Sequence, residues 1–234
     1  MTNRTSISTA EAVAELMVRH GIPQQGVPEL PDPQGLRSRL VHAGTLAVDS
    51  EVSLASLDAY EFCCFASPAG RAEVYLRYEE LPARWLATAA GEGSREGVEV
   101  PHCGWAVTMV ALVAVGATAQ DVLDASYDRV DYDAVWLGEW HSALEDTDRG
   151  QLGQLEQPGL ALPDVGAGRT REAARRLYAL EQAGDPTPFL DLTDPDSGAN
   201  TLVFPTHAMS CDSVLEGTAA DGRTVCHLWS GFEV

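Results

Sequence analysis

Chemistry in this chain centres on Cys103 and His207. A cysteine attacks a carbonyl carbon as its thiolate, and an imidazole within hydrogen-bond reach takes the proton. Cys103 follows a polar, glycine-rich connector (GEGSREGVE) and Pro101, and it precedes Gly104 and the apolar run from Trp105 to Ala117. That run predicts a helix buried on all sides and starting at Cys103. The free N–H groups and dipole of such a helix stabilise a thiolate. Gly104 lets a substrate backbone approach closely. His207 falls on a predicted strand, TLVFPTHAMS, and a return strand after the Asp221-Gly222 turn brings Cys226-His227-Leu228-Trp229-Ser230 alongside to supply a third, orienting group.

The same residues permit a second constellation. His102-Cys103 and Cys226-His227 are adjacent soft-ligand pairs, and with His207 and Cys211 they spell out a Cys/His zinc site. No CxxC or HxxxH pair accompanies them. Neighbours on a strand also point to opposite faces, so each pair offers one ligand to a given ion. Other motifs read as structure. Cys63-Cys64 are small hydrophobes on a strand; Asp121, Asp124, Asp128 and Asp131 recur as an acidic stripe on one helix face; and DLTDPDSG lacks the calcium-loop spacing and reads as Asx turns.

Several elements must position these residues. TAEAVAELMVRH (9–20) predicts an amphipathic helix with Thr9 as N-cap and Gly21 as its stop. A proline-rich connection follows, then a strand within 43–54. AYEFCCFA and RAEVYLRY predict a β-hairpin joined by Ser67-Pro68-Ala69-Gly70, with Val74, Leu76 and Tyr78 alternating against Glu73 and Arg77. Helices are predicted near LPARWLATAA, from Thr118 with capping-box spacing to Asp121 and an apolar side of Val122, Leu123 and Val130, over YDAVWLGEWHSALE, and over TREAARRLYALEQAG, with a loop at 148–169. From Thr201 onward the chain reads as β structure. The class is α+β, with residues 1–95 as an N-terminal helix and β-hairpin elaboration and residues 96–234 as the α+β core, or the two as one continuous domain.

CGWAVTMVALVAVGATAQDVL resembles the Cys-Gly start of the nucleophile helix in papain-like thiol peptidases, particularly the bacterial double-glycine leader peptidase branch. THAM, followed about twenty residues on by WSG, is similar to the His-bearing strand and Asn-Ser-Trp-Gly turn of papain and the bleomycin hydrolases. The resemblance implies a buried nucleophile helix against a C-terminal antiparallel sheet, Cys103 as nucleophile and His207 as general base. His227 then falls at the position of the orienting group.

Composition bounds the function. The 234 residues carry a formal charge of −20, and all 15 cations are arginines. Phosphate contacts need clustered cations, so nucleic-acid binding is excluded as an expectation. Without lysine there is no P-loop lysine and no Schiff-base chemistry, which leaves cysteine as the nucleophile. Two isoleucines and two asparagines, Asn3 and Asn200, fit a GC-rich genome; protection of a Cys103 thioester from amines, or escape from lysine-directed tagging, are further causes. The apolar run is too short for the roughly 20 residues of a membrane span. With five cysteines, an odd count, and no signal-peptide pattern, a cytoplasmic protein with reduced thiols is expected. The expected function is a thiol-dependent hydrolase or acyltransferase acting on a peptide or amide bond without a cofactor. The alternatives are a non-catalytic acidic inhibitor or assembly factor for a basic partner surface, and a zinc-binding protein.

Overall fold

The computed structural model describes residues 7–20, 38–47, 54–57, 61–65, 71–80, 105–130, 136–141, 176–177, 179–180, 183–193, 198–206 and 213–230. The elements are α1 (Thr9–His20), β1 (Ser38–Leu46), β2 (Leu54–Leu57), β3 (Glu61–Phe65), β4 (Ala72–Glu80), β5 (Trp105–Ala114), α2 (Ala119–Asp124), β6 (Ser126–Val130), β7 (Trp136–His141), β8 (Leu190–Thr193), β9 (Asn200–Pro205), β10 (Ser213–Thr218) and β11 (Thr224–Ser230). Mostly antiparallel sheet with few helices makes this an α+β protein.

Two sheets form. One has six strands in the order β1-β4-β5-β11-β10-β6, and the other has five in the order β7-β3-β2-β9-β8. Every pairing is antiparallel except β2 with β9. Val74, Leu76, Tyr78, Val107, Val110, Leu112, Val214 and Trp229 of the larger sheet form one core with Leu54, Leu202 and Phe204 of the smaller. On its other face the larger sheet packs Tyr75, Met109, Ala111, Val113, Cys226 and Leu228 under Ala12, Val13, Leu16 and Met17 of α1 and Val122 of α2.

That three-layer arrangement corrects the helix predicted at 105–117. Residues 105–114 are strand β5, buried from Trp105 to Val113. A strand covered on both faces needs apolar residues at every position, so its sequence loses the alternation that marks an ordinary strand. The β-branched Val107, Thr108, Val110 and Val113 suit the pleat. Residues 136–141, also expected to be helical, form β7.

The hairpin is corrected too. β3 and β4 are both strands, but β3 pairs with β2 and β7 while β4 pairs with β1 and β5. Chain adjacency favoured pairing them, and β4 instead takes an interior place between β1 and β5 of the larger sheet. Each sheet therefore mixes strands from before and after residue 95, so that boundary does not separate an elaboration from a core.

Helix α1 stands as predicted, with its cap moved by one residue. Ser8 Oγ accepts from the Glu11 amide (3.2 Å), and the Ser8 amide donates to Glu11 Oε2 (2.7 Å). Thr118 and Asp121 form the capping box foreseen for α2. The helix ends at Asp124 and Val130 belongs to β6, so Asp121 and Asp124 lie on the helix and Asp128 on the strand, while Asp131 lies outside the described residues. The 220–222 turn closes with Ala219 N–H donating to Arg223 O at 2.9 Å and Gly222 at φ 85°.

Candidate functional site

Cys103 and His207 lie outside the described residues, but their chain neighbours are fixed. Trp105 begins β5 opposite Glu80 and packs in the inter-sheet core with the Arg39 guanidinium 5.0 Å above its ring. Thr206 follows β9. The direction of β9 is set at both ends. At its start, Asn200 Nδ2 donates to Thr45 O (3.1 Å) and Asn200 Oδ1 accepts from the Ala47 amide (2.8 Å), level with the end of β5. Toward its finish, Tyr78 Oη donates to Pro188 O at 2.7 Å, and Tyr78 pairs with Val107 near the start of β5. Leu190 pairs with Val203, so Pro188 is level with the last residues of β9. Trp105 and Thr206 thus occupy the same end of the sandwich. Thr206 is buried, and its hydroxyl has no hydrogen-bond partner among the described residues.

With β5 a strand, the helix dipole expected to acidify Cys103 is absent from residues 105–114. Acidification of that thiol then needs a neighbouring group, and an imidazole is the ordinary one.

His227 is elsewhere. It pairs with Leu112 of β5, seven residues along the strand from Trp105 and roughly 20 Å away at the usual rise. Its ring is fully buried beside Trp229, with centroids 5.9 Å apart, and Nε2 meets Glu216 Oε2 at 3.1 Å. Nδ1 is buried without a partner among the described residues. Burial holds the imidazole below its ordinary pKa, and Glu216 opposes that only in part. The Leu112-His227-Glu216-Asp128 row crosses β5, β11, β10 and β6 on the face toward the smaller sheet. His227 thus stands level with Leu112, away from the Trp105 end of β5.

Cys226 and His227 confirm the strand rule for adjacent ligands: Cys226 packs on the helix side and His227 faces the other sheet. Cys226 is fully buried, and burial pushes its thiol up to about 12, which removes it as a nucleophile at neutral pH. Among the described residues no group of three His, Cys, Asp or Glu side chains is placed to hold a metal ion. His102, Cys103, His207 and Cys211 lie outside them. Cys63 and Cys64 are on β3, and Asp191 is taken up by Asn200 Nδ2 (3.0 Å) and the Thr193 hydroxyl (3.1 Å).

One polar cluster escaped the sequence reading. On the helix side of the larger sheet, His42 Nε2 lies 2.6 Å from Glu73 Oε2, and the Thr45 hydroxyl donates to Glu73 Oε1 at 2.9 Å. His42 also packs on the Tyr75 ring at 5.0 Å. Residues 42 and 45 would face opposite ways on an unbroken strand. The β1 register slips between His42 and Gly44, and Gly44 sits at φ 115°. This bulge places His42 and Thr45 on the face that carries Glu73, while Ala43 and Leu46 point into the inter-sheet core. A glycine inside a strand pattern was the available signal.

Comparison of the chain with protein-family models, with curated proteins and with solved structures finds no match.

Proposed function

We propose that the protein is a thiol-dependent hydrolase or acyltransferase acting on a peptide or amide bond, with Cys103 as nucleophile and His207 as general base. The observation that carries the reading is the shared end of the sandwich. Cys103 is two peptide units from Trp105 and His207 is one from Thr206, so each backbone is tethered within about 4–8 Å of that end. A nucleophile and its base from distant parts of the sequence need such convergence. The papain-like resemblance keeps its Cys-Gly and His motifs in this reading but not its helix, since a strand follows Cys103.

In this scheme the imidazole takes the thiol proton, the thiolate adds to the acyl carbon, and the amine leaves with that proton. Water or a second acceptor then releases the acyl group from sulfur. The test is mass-spectrometric detection of an acyl adduct on the intact protein incubated with small activated acyl donors. An adduct on Cys103, lost in Cys103→Ala and at least about tenfold slower to form in His207→Ala, is the expected result. Adducts spread evenly over the cysteines would refute it.

A further inference from the structure

The bulge-built cluster on the opposite face of the larger sheet has the parts of an independent proton-transfer site. Glu73 accepts from His42 Nε2 and from the Thr45 hydroxyl, which fixes both the carboxylate and the imidazole tautomer. The ring nitrogen left as an acceptor is Nδ1. His42 is half exposed and its ring is held against Tyr75. A solvent-exposed base oriented by a carboxylate is the arrangement general-base catalysis requires.

We propose that His42 is a general base that adds water to small, reactive carboxylic esters, with Glu73 and Thr45 as its positioning residues. Nδ1 takes a proton from water as the oxygen bonds to the ester carbon. The tetrahedral adduct then expels the alkoxide, which recovers the proton from the imidazolium, leaving a carboxylic acid, an alcohol and neutral His42. Reactive esters are the fitting class because their leaving group departs without a stronger acid, whereas an amide nitrogen must be protonated as it leaves. This site does not rest on the Cys103 reading, since it uses no thiol.

The test uses 4-nitrophenyl acetate and the full chain carrying Cys103→Ala, so that failure of either proposal is separately visible. The expected rate exceeds that of equimolar free imidazole by about tenfold or more, and His42→Gln in the same background lowers it by a similar factor. Glu73→Gln lowers the rate at a fixed pH of 8, and Glu73→Asp restores part of it, a rescue that follows the carboxylate bonded to the ring. Thermal unfolding checks that each variant is folded. A parent rate no greater than that of free imidazole, or one unchanged by Glu73→Gln, would overturn the proposal, and the Glu73 arm decides it if His42→Gln fails to fold.

Discussion

Two histidine–carboxylate pairs bridge neighbouring strands of the six-stranded sheet, one on each face. His227 and Glu216 join β11 to β10 between the sheets, whereas His42 and Glu73 join β1 to β4 on the helix side. The chemistry of the pairs is the same and their carboxylates are similarly exposed, but the imidazoles differ: the side chain of His227 is 1% exposed and that of His42 is 50% exposed. Buried, the imidazole fills the core and gives up access to solvent. Exposed and held by the same kind of partner, it keeps one nitrogen for an incoming molecule. Solvent access therefore separates a structural histidine from a chemical one in this sheet.

The sharpest way to break the comparison is deletion. His227→Ala should cost about 2–4 kcal/mol, through a cavity beside Trp229 and the lost bond to Glu216, while His42→Ala should cost less than about 1 kcal/mol because an exposed pair contributes little. Urea denaturation midpoints would show it, and equal losses would erase the distinction.

Acid should act on the buried pair next. A folded-state pKa held below the unfolded value means that the unfolded chain binds the proton more readily. The stability associated with His227 is thus complete above the ordinary imidazole value of about 6.5 and is lost as pH falls from there through the lower folded value. Denaturation midpoints measured from pH 8 to pH 5 should decline in the parent more steeply than in a folded His227→Phe variant; parallel curves would contradict the assignment.

Substitution of the bulge glycine is expected to be milder. Gly44→Ala forces an L side chain to φ 115° and should cost about 1–2 kcal/mol, with loss of the His42–Glu73 contact as followed by imidazole NMR shifts. The smallest effect concerns the exposed end of the His227 row. Asp128 stands opposite Glu216, so like charges oppose each other, and Asp128→Asn should stabilise the fold by a few tenths of a kcal/mol, up to about 1.

The sequence revealed most where one face of an element is wet. Helix α1, the Thr118-Asp121 box, and the β10 and β11 strands around the Asp221-Gly222 turn were legible from amphipathic spacing, caps and turn residues. β5 was not, because cover on both faces makes every position apolar and a buried strand then looks like a buried helix. The β3–β4 hairpin failed for a related reason: two genuine strands joined by a turn signal pair with other strands once the second is enclosed on both sides. His42 was passed over because the residues it meets come from β4, thirty-odd positions away, and only Gly44 marked the bulge that aims it. Cys103 drew attention for a helix dipole that β5 does not supply, so its acidification now rests on His207.

That dependence is the central claim, and the pH profile of Cys103 alkylation by iodoacetamide tests it most directly. Peptide mass spectrometry would follow the rate from pH 5 to pH 9 in the parent chain and in His207→Ala. The account predicts that Cys103 reacts at least about tenfold faster than Cys226 and the other cysteines at pH 7, and that His207→Ala moves its profile up toward the ordinary thiol value of about 8.5. A parent profile already centred on that value, unchanged by His207→Ala, would contradict it.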